Sequence, residues 1–393
     1  MRTLVALFWT VGALLLLVAS AIAQVNAVYV ESNIGQVPGR NSIYALKNDG
    51  TGKLTPIKGS PFLTGGTGVF EMNSVFAPGF VADQEIVVNS AGTLLFAVNG
   101  DSNTVTSFGI NSDGSLTNLA TTPTNGQDPV SIGLDESSPA GPQITVANQA
   151  NDPKQSGGTP NITSFTVDLT TGILTPVDNS TITFSMGSPA QALVSPSGRF
   201  VFVVAGNTLN SYTVGAGGLL ILNNSQIHSQ ALEGETVHPK QRVVYIGMPS
   251  INQLSIDSYN TAGDLALVKN IANPGSLICW LTTNPAGTRL YTVESGTRSL
   301  TVYDISGANA LNPMQLQHVI VSGTTDEPTN LKLDPTGQFL YVLGLQPNQQ
   351  TPGNFLHVLN VSSADGTLTE TQTPIKIPVH SGEVPMGLAV AMK

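Results

Sequence analysis

Asp334-Pro-Thr-Gly-Gln-Phe-Leu-Tyr-Val-Leu343 decides the fold of this 393-residue chain. Its first four residues carry turn chemistry, and the apolar, aromatic and β-branched run behind them reads as a buried strand. The unit recurs as Asn89-Ser-Ala-Gly-Thr-Leu-Leu-Phe-Ala-Val98, Ser195-Pro-Ser-Gly-Arg-Phe-Val-Phe-Val-Val204 and Asn284-Pro-Ala-Gly-Thr-Arg-Leu-Tyr-Thr-Val293. Pro139-Ala-Gly-Pro-Gln-Ile-Thr-Val146 and His238-Pro-Lys-Gln-Arg-Val-Val-Tyr-Ile246 are weaker copies. A seventh strand, Val28-Tyr29-Val30, lacks its own preceding turn. Repetition at roughly 40 to 50 residues marks one supersecondary unit used many times.

A second half repeats behind the first. Asn103-Thr-Val-Thr-Ser-Phe-Gly-Ile110 leads into the turn Asn111-Ser-Asp-Gly-Ser115, and Phe355-Leu-His-Val-Leu-Asn-Val361 into Ala364-Asp-Gly-Thr-Leu368. Asn161-Ile-Thr-Ser-Phe-Thr-Val167 and Asn41-Ser-Ile-Tyr-Ala-Leu46 behave likewise. Asp-Gly and Thr-Gly pairs supply the positive φ of hairpin turns. Each unit also opens with a shared inner strand, seen at Asp128-Pro-Val-Ser-Ile132, Ser188-Pro-Ala-Gln-Ala192, Glu327-Pro-Thr-Asn-Leu331 and Val384-Pro-Met-Gly-Leu388. Four short antiparallel strands per repeat predict an all-β, seven-bladed propeller. The first blade lacks an inner strand and the C-terminus has one to spare. The C-terminal strand is therefore expected to close the ring against Val28–Val30, which removes free sheet edges.

These units resemble the seven-bladed propellers of the lactonase family, which includes 6-phosphogluconolactonase and carboxymuconate cyclase, and also secreted YVTN-type surface repeats. The resemblance spans nearly the whole chain after residue 23. It implies action on lactones through His, Arg and acidic side chains near the mouth of the central channel. It also implies a histidine just upstream of a blade's Ser-Pro turn. This chain has Pro189-Ala-Gln191 ahead of Ser195-Pro196.

Composition excludes several classes. The chain carries 15 basic and 25 acidic residues, a net charge of −10, with no basic run. Nucleic acid and anionic membrane surfaces are poor partners for such a surface. The single cysteine, Cys279, cannot form an intrachain disulfide and sits among Leu277, Ile278, Trp280 and Leu281, so it reads as a buried structural thiol. Residues 1–23 read as a signal peptide: Arg2, an apolar run from Leu4 to Val18, and Ala21-Ile22-Ala23 as the cleavage pattern. The expectation is a secreted or periplasmic protein with one domain at residues 24–393, monomeric and free of the membrane after cleavage.

In this strand order, the loops entering the inner strands surround the channel mouth. Acids gather there: Asp83 and Glu85, Asp128, Glu233 and Glu235, Asp326 and Glu327, and Glu383. His228 and His380 fall in the same loops, upstream of Glu233 and Glu383, and a His with a carboxylate can do general acid–base work. The expected catalytic set is His228, His380, Glu383 and Glu233. Asp128, Asp326, Glu327, Arg40 and Arg298 are expected to bind ligand. Asp128, Glu327 and Glu383 begin equivalent strands in different blades, so they form an expected site for a divalent cation, calcium or magnesium. Two functions stay open: a lactone hydrolase or cycloisomerase acting on a non-phosphorylated lactone, or a non-catalytic propeller binding a carbohydrate-like ligand or a surface protein through its mouth loops. The polar loops Glu31 to Arg40, Asn148 to Pro160 and Gln346 to Asn354 suit the second.

Overall fold

The computed structural model describes residues 26–69, 84–152, 154–321, 326–345, 354–379 and 383–392. They form seven antiparallel sheets, each running from an inner to an outer strand. Blade one comprises Leu388–Met392, Asn26–Glu31 and Ser42–Asn48, with Leu54–Pro56 and Phe62–Leu63 sharing the outer position. Blade two runs Ile86–Val88, Leu94–Asn99, Thr104–Ile110 and Leu116–Pro123. Blade three runs Pro129–Asp135, Gln143–Asn148, Asn161–Val167 and Leu174–Pro176 with Ile182–Thr183. Blade four is Pro189–Val194, Phe200–Ala205, Thr208–Val214 and Leu220–Ile227. Blade five is Glu235–Val237, Val243–Met248, Gln253–Tyr259 and Leu265–Ala272. Blade six is Ile278–Thr283, Arg289–Glu294, Ser299–Asp304 and Met314–Ile320. Blade seven is Glu327–Leu333, Phe339–Leu345, Asn354–Val361 and Leu368–Glu370 with Ile375–Ile377.

The C-terminal strand closes the ring as the sequence predicts. Val28 faces Val390, Tyr29 faces Ala389 and Val30 faces Leu388 in an antiparallel ladder. The expected signal segment, residues 1–23, lies outside the described residues. Among the described residues, no helix is long and apolar enough to cross a membrane.

The turn at Asp334 to Gly337 has a clear physical job. Its first residue caps the turn: Asp334 Oδ1 accepts from the N–H groups of Gln338 and Phe339 at 2.8 and 2.9 Å. Asn89 and Asn284 do the same for their turns. Gly337 sits at φ 73°, a left-handed conformation that costs glycine nothing. The weak copy at residue 238 lacks that glycine and is capped differently, with His238 Nδ1 accepting from the N–H of Lys240 and of Gln241.

The aromatic strand residues lock blade to blade. Tyr29, Tyr245, Tyr291 and Tyr341 are fully buried. Tyr29 donates to the Gly114 carbonyl of blade two at 2.9 Å, Tyr245 to Ala310 of blade six at 2.8 Å and Tyr291 to Gly366 of blade seven at 3.1 Å. Asn48 of blade one reaches the Tyr341 hydroxyl of blade seven at 2.6 Å. A buried ring and a satisfied phenol thus hold the same interface.

Two stability outcomes follow. Deleting residues 384–393 removes the buried Leu388 and Val390, each worth on the order of 1.5–3 kcal/mol, and opens the ring. The melting midpoint should fall sharply, and an unchanged midpoint contradicts closure. Tyr291→Phe should cost about 1 kcal/mol by stranding the Gly366 carbonyl while keeping the packed ring, measured by denaturant unfolding.

Candidate functional site at the channel mouth

The inner strands begin on one face, and their first turns set the site. Pairing of inner with second strands slips by one residue near this face in blades three, four, six and seven. Such bulges re-aim side chains beside functional sites. In blade four the slip lies between Pro189 and Gln191. Gln191 then donates to Gln84 Oε1 at 3.1 Å, and its own Oε1 accepts from the Glu235 N–H at 2.6 Å. This amide chain ties blades two, four and five together. A cavity of about 70 Å³ lies against it, lined by Gln84, Gln191, Glu235, Lys332 and apolar side chains including Leu331 and Leu388. Glutamine thus stands where the family resemblance implied a histidine.

Asp128 is fully buried, with a backbone φ of 55°. Its N–H donates to Asn103 Oδ1 at 2.8 Å, and its Oδ2 accepts from the Asn151 N–H at 3.3 Å, leaving Oδ1 without a partner. Burial, then the charge of Asp152, push its carboxyl up to about 7. Asp152 is buried beside it, capping Lys154 N–H and accepting from Gln155. Burial and Asp152 also raise Asp101. Lys154 supplies the local positive charge, 3.8 Å from Asp101 and donating to the Gly35 carbonyl at 2.8 Å. The long loops of blades one and three therefore meet over this side of the mouth.

Glu233 is the second carboxyl held near neutrality. Burial pushes it up to about 7, against a hydrogen bond from Cys279 that favours the ionised form. Burial drives the Cys279 thiol well above its usual range, so it is inert as the sequence suggested. Glu31 is also buried and raised by burial, although Asn41 Nδ2 donates to it at 2.7 Å. Gly387 lies between Glu31 and Glu85, and a Cβ there would stand 2.9 Å from Glu31 Cβ and 3.2 Å from Glu85 Cβ.

The other expected residues are placed as follows. Glu327 is half-buried and raised by burial, with Arg298 opposing the shift. Glu383 is buried near Tyr44, whose hydroxyl is raised by burial and then by that carboxylate. Arg40 and Arg298 are exposed. Asp83 and His380 lie outside the described residues. His228 does not serve the mouth: its side chain is enclosed, 3.4 Å from Asp257 Oδ1 and 3.4 Å from Ser255 Oγ, in the sheet of blade five. The polar column inside that blade captures it, which corrects the expected acid–base role. Among the described residues, no group of three His, Cys, Asp or Glu side chains could hold a metal ion. The expected cation trio Asp128, Glu327 and Glu383 is not among such groups.

One important histidine escaped sequence reasoning. His357 is buried between Asp326 at 3.0 Å from Nε2 and Glu370 at 2.6 Å from Nδ1. Burial alone would lower its pKa, but the two hydrogen bonds and the two carboxylate charges outweigh burial and raise it to about 9. It is an imidazolium that fixes Asp326, whose Oδ1 keeps no partner. The signal lay in the repeat: with Phe355 opposite Gly344, His357 takes the place of Thr106, Thr163, Asn210, Ser255 and Thr301 in the other blades.

No family model matches the chain, and no curated protein matches it. Solved structures do. A candidate 6-phosphogluconolactonase from Bacteroides fragilis superposes with a TM-score of 0.70 at 15% identity, over 95% of this chain and 99% of that one. A second candidate 6-phosphogluconolactonase, from Bacteroides uniformis, gives 0.70 at 16% identity, over 94% and 99%. The periplasmic gluconolactonase of Pseudomonas aeruginosa gives 0.70 at 16% identity, also over 94% and 99%. At these identities the likeness is one of fold: the chain is a seven-bladed β-propeller built like those lactonases.

The raised groups make stability pH-dependent. Asp128 titrates at 3.8 when unfolded and near 7 when folded, so the native state holds the extra proton. Its contribution is full below about pH 4 and lost as pH rises through about 7. His357 adds stability that is full below about 6.5 and lost as pH rises through about 9. The melting midpoint should fall from pH 5 to pH 9. Asp128→Asn should flatten the acid part of that fall and His357→Gln the alkaline part.

Proposed function

We propose that this protein is an exported lactone hydrolase acting at the channel mouth on a non-phosphorylated lactone. Its parts would be a signal peptide at residues 1–23 and one propeller domain at residues 24–393. The observation that carries the reading is a pair of carboxyls, Asp128 and Glu233, poised near neutral pH on the same face of a lactonase-like propeller. A carboxyl near pKa 7 is populated both as base and as acid at working pH. The ionised form takes a proton from water as the water oxygen attacks the lactone carbonyl carbon. The neutral form gives a proton to the ring oxygen as the acyl C–O bond breaks, leaving a hydroxy acid. Lys154, held by Asp101 and the Gly35 carbonyl, is the cation on the Asp128 side that would steady the developing oxyanion.

The concentration of acids favours an uncharged substrate. Above about pH 7, where Asp128 ionises, a phosphorylated sugar lactone would meet like charge there. Export is supported by the apolar segment before Gln24 and by the fold shared with a periplasmic gluconolactonase.

Lactone opening releases acid and can be followed at constant pH with sugar lactones and aromatic-acid lactones. Turnover is expected, with kcat/KM rising through about pH 7. Asp128→Asn and Glu233→Gln should each lower kcat by on the order of 100-fold. If the wild-type protein opens none of these lactones, the hydrolase reading fails and ligand binding without catalysis takes its place.

A further inference from the structure

On the face opposite the mouth, a cleft of about 480 Å³ opens between blades four and five. Its walls are the turns Pro196 to Phe200 and His238 to Arg242, with Tyr259 and Thr261 from the next hairpin. Arg199, Lys240 and Arg242 line it, three of the 15 basic residues in a chain of net charge −10. All three are exposed, and among the described residues none makes an ion pair. Two are positioned by aromatic rings. The Arg199 guanidinium lies 5.5 Å from the centre of the Phe200 ring. Arg242 is close enough to Tyr259 for its charge to oppose the upward shift that burial gives that phenol. Phe200 and Tyr259 pack edge to face at 5.9 Å and form the buried floor of the cleft.

The repeat supplies an internal control. The equivalent cleft between blades six and seven is of similar size, about 510 Å³, and also holds an arginine and a tyrosine. There Arg289 pairs with Asp304 at 3.1 Å and donates to the Asp365 and Thr288 carbonyls, and Tyr291 donates to Gly366. That cleft satisfies its cation internally. The cleft of blades four and five gathers three cations and supplies no anion, so its complement must come from outside. Guanidinium groups take oxyanions through paired N–H donors, and ring surface takes the apolar face of a sugar.

We propose that the cleft of Arg199, Lys240 and Arg242 binds an acidic sugar, its oxyanion held by the cations and its apolar face over the floor at Tyr259. The ligand could arrive as a free sugar acid or as a unit of an acidic polysaccharide, and both present the same chemistry. The site is independent of the channel mouth, and so is its test.

Calorimetric titration at low salt with glucuronate, an oligogalacturonide, inorganic sulfate and glucose decides it. Glucuronate or the oligogalacturonide should bind, sulfate should bind at least tenfold more weakly and glucose not at all. Raising the salt should weaken binding. The triple variant Arg199→Ala, Lys240→Ala, Arg242→Ala should lose at least tenfold in affinity with an unchanged melting midpoint and unchanged lactone turnover. Arg289→Ala should bind as the wild type does. Tighter binding of the oligomer marks a polysaccharide source, and equal binding a free sugar acid. Absence of uronate binding, sulfate binding as well as glucuronate, or full binding in the triple variant overturns the proposal.

Discussion

The pairing of Leu388–Met392 with Asn26–Val30 is the constraint on which the rest of the molecule depends. It joins the last strand to the first blade, so the ring closes and every blade has two neighbours. The closing segment also builds the mouth. Gly387 passes its carbonyl to the Glu31 N–H at 2.9 Å and leaves Glu31 and Glu85 room to stand on either side of it. A side chain at Gly387 would push on both acids at once. Ring closure and site geometry are therefore one feature seen from two ends.

The acids at that face work against stability. A buried carboxylate without a cation is expensive, and the molecule answers by keeping several of these groups neutral. The cost is tolerable because the blade interfaces bury fully enclosed aromatic and β-branched side chains, from Tyr29 and Phe96 to Tyr341. Tension between a rigid, apolar ring and an under-satisfied polar mouth is expected of a working site. Asp326 is the contrasting solution: the His357 imidazolium neutralises it directly.

Fold was legible because it rests on turn chemistry that repeats. Asn89, Asn284 and Asp334 cap their turns in one way, and even the weak copy at His238 keeps a capping side chain. Placing Asp128 and Glu233 near the mouth followed from strand order alone. His228 misled because a loop position does not say which way a ring turns, and Ser255 and Asp257 draw it into the sheet. His357 was missed because it reads as a strand residue, and only the register against Gly344 aligns it with the polar column of the other blades. The expected cation ring assumed that equivalent strand starts point to one axis. Among the described residues, Asp128, Glu327 and Glu383 do not come together as such a group. Gln191 stood in the shared inner-strand motif, but nothing in the sequence tied it to Gln84, which it joins in the structure.

The central claim is that Asp128 and Glu233 keep their protons near neutral pH in the folded protein. Infrared difference spectroscopy between about pH 5.5 and pH 8.5 reads the carbonyl stretch of neutral carboxyl groups directly. The account predicts a protonated-carboxyl band that persists at pH 6, falls through about pH 7 and shrinks in both Asp128→Asn and Glu233→Gln. A spectrum in which every carboxyl group of the folded protein is already ionised at pH 5.5 would contradict it.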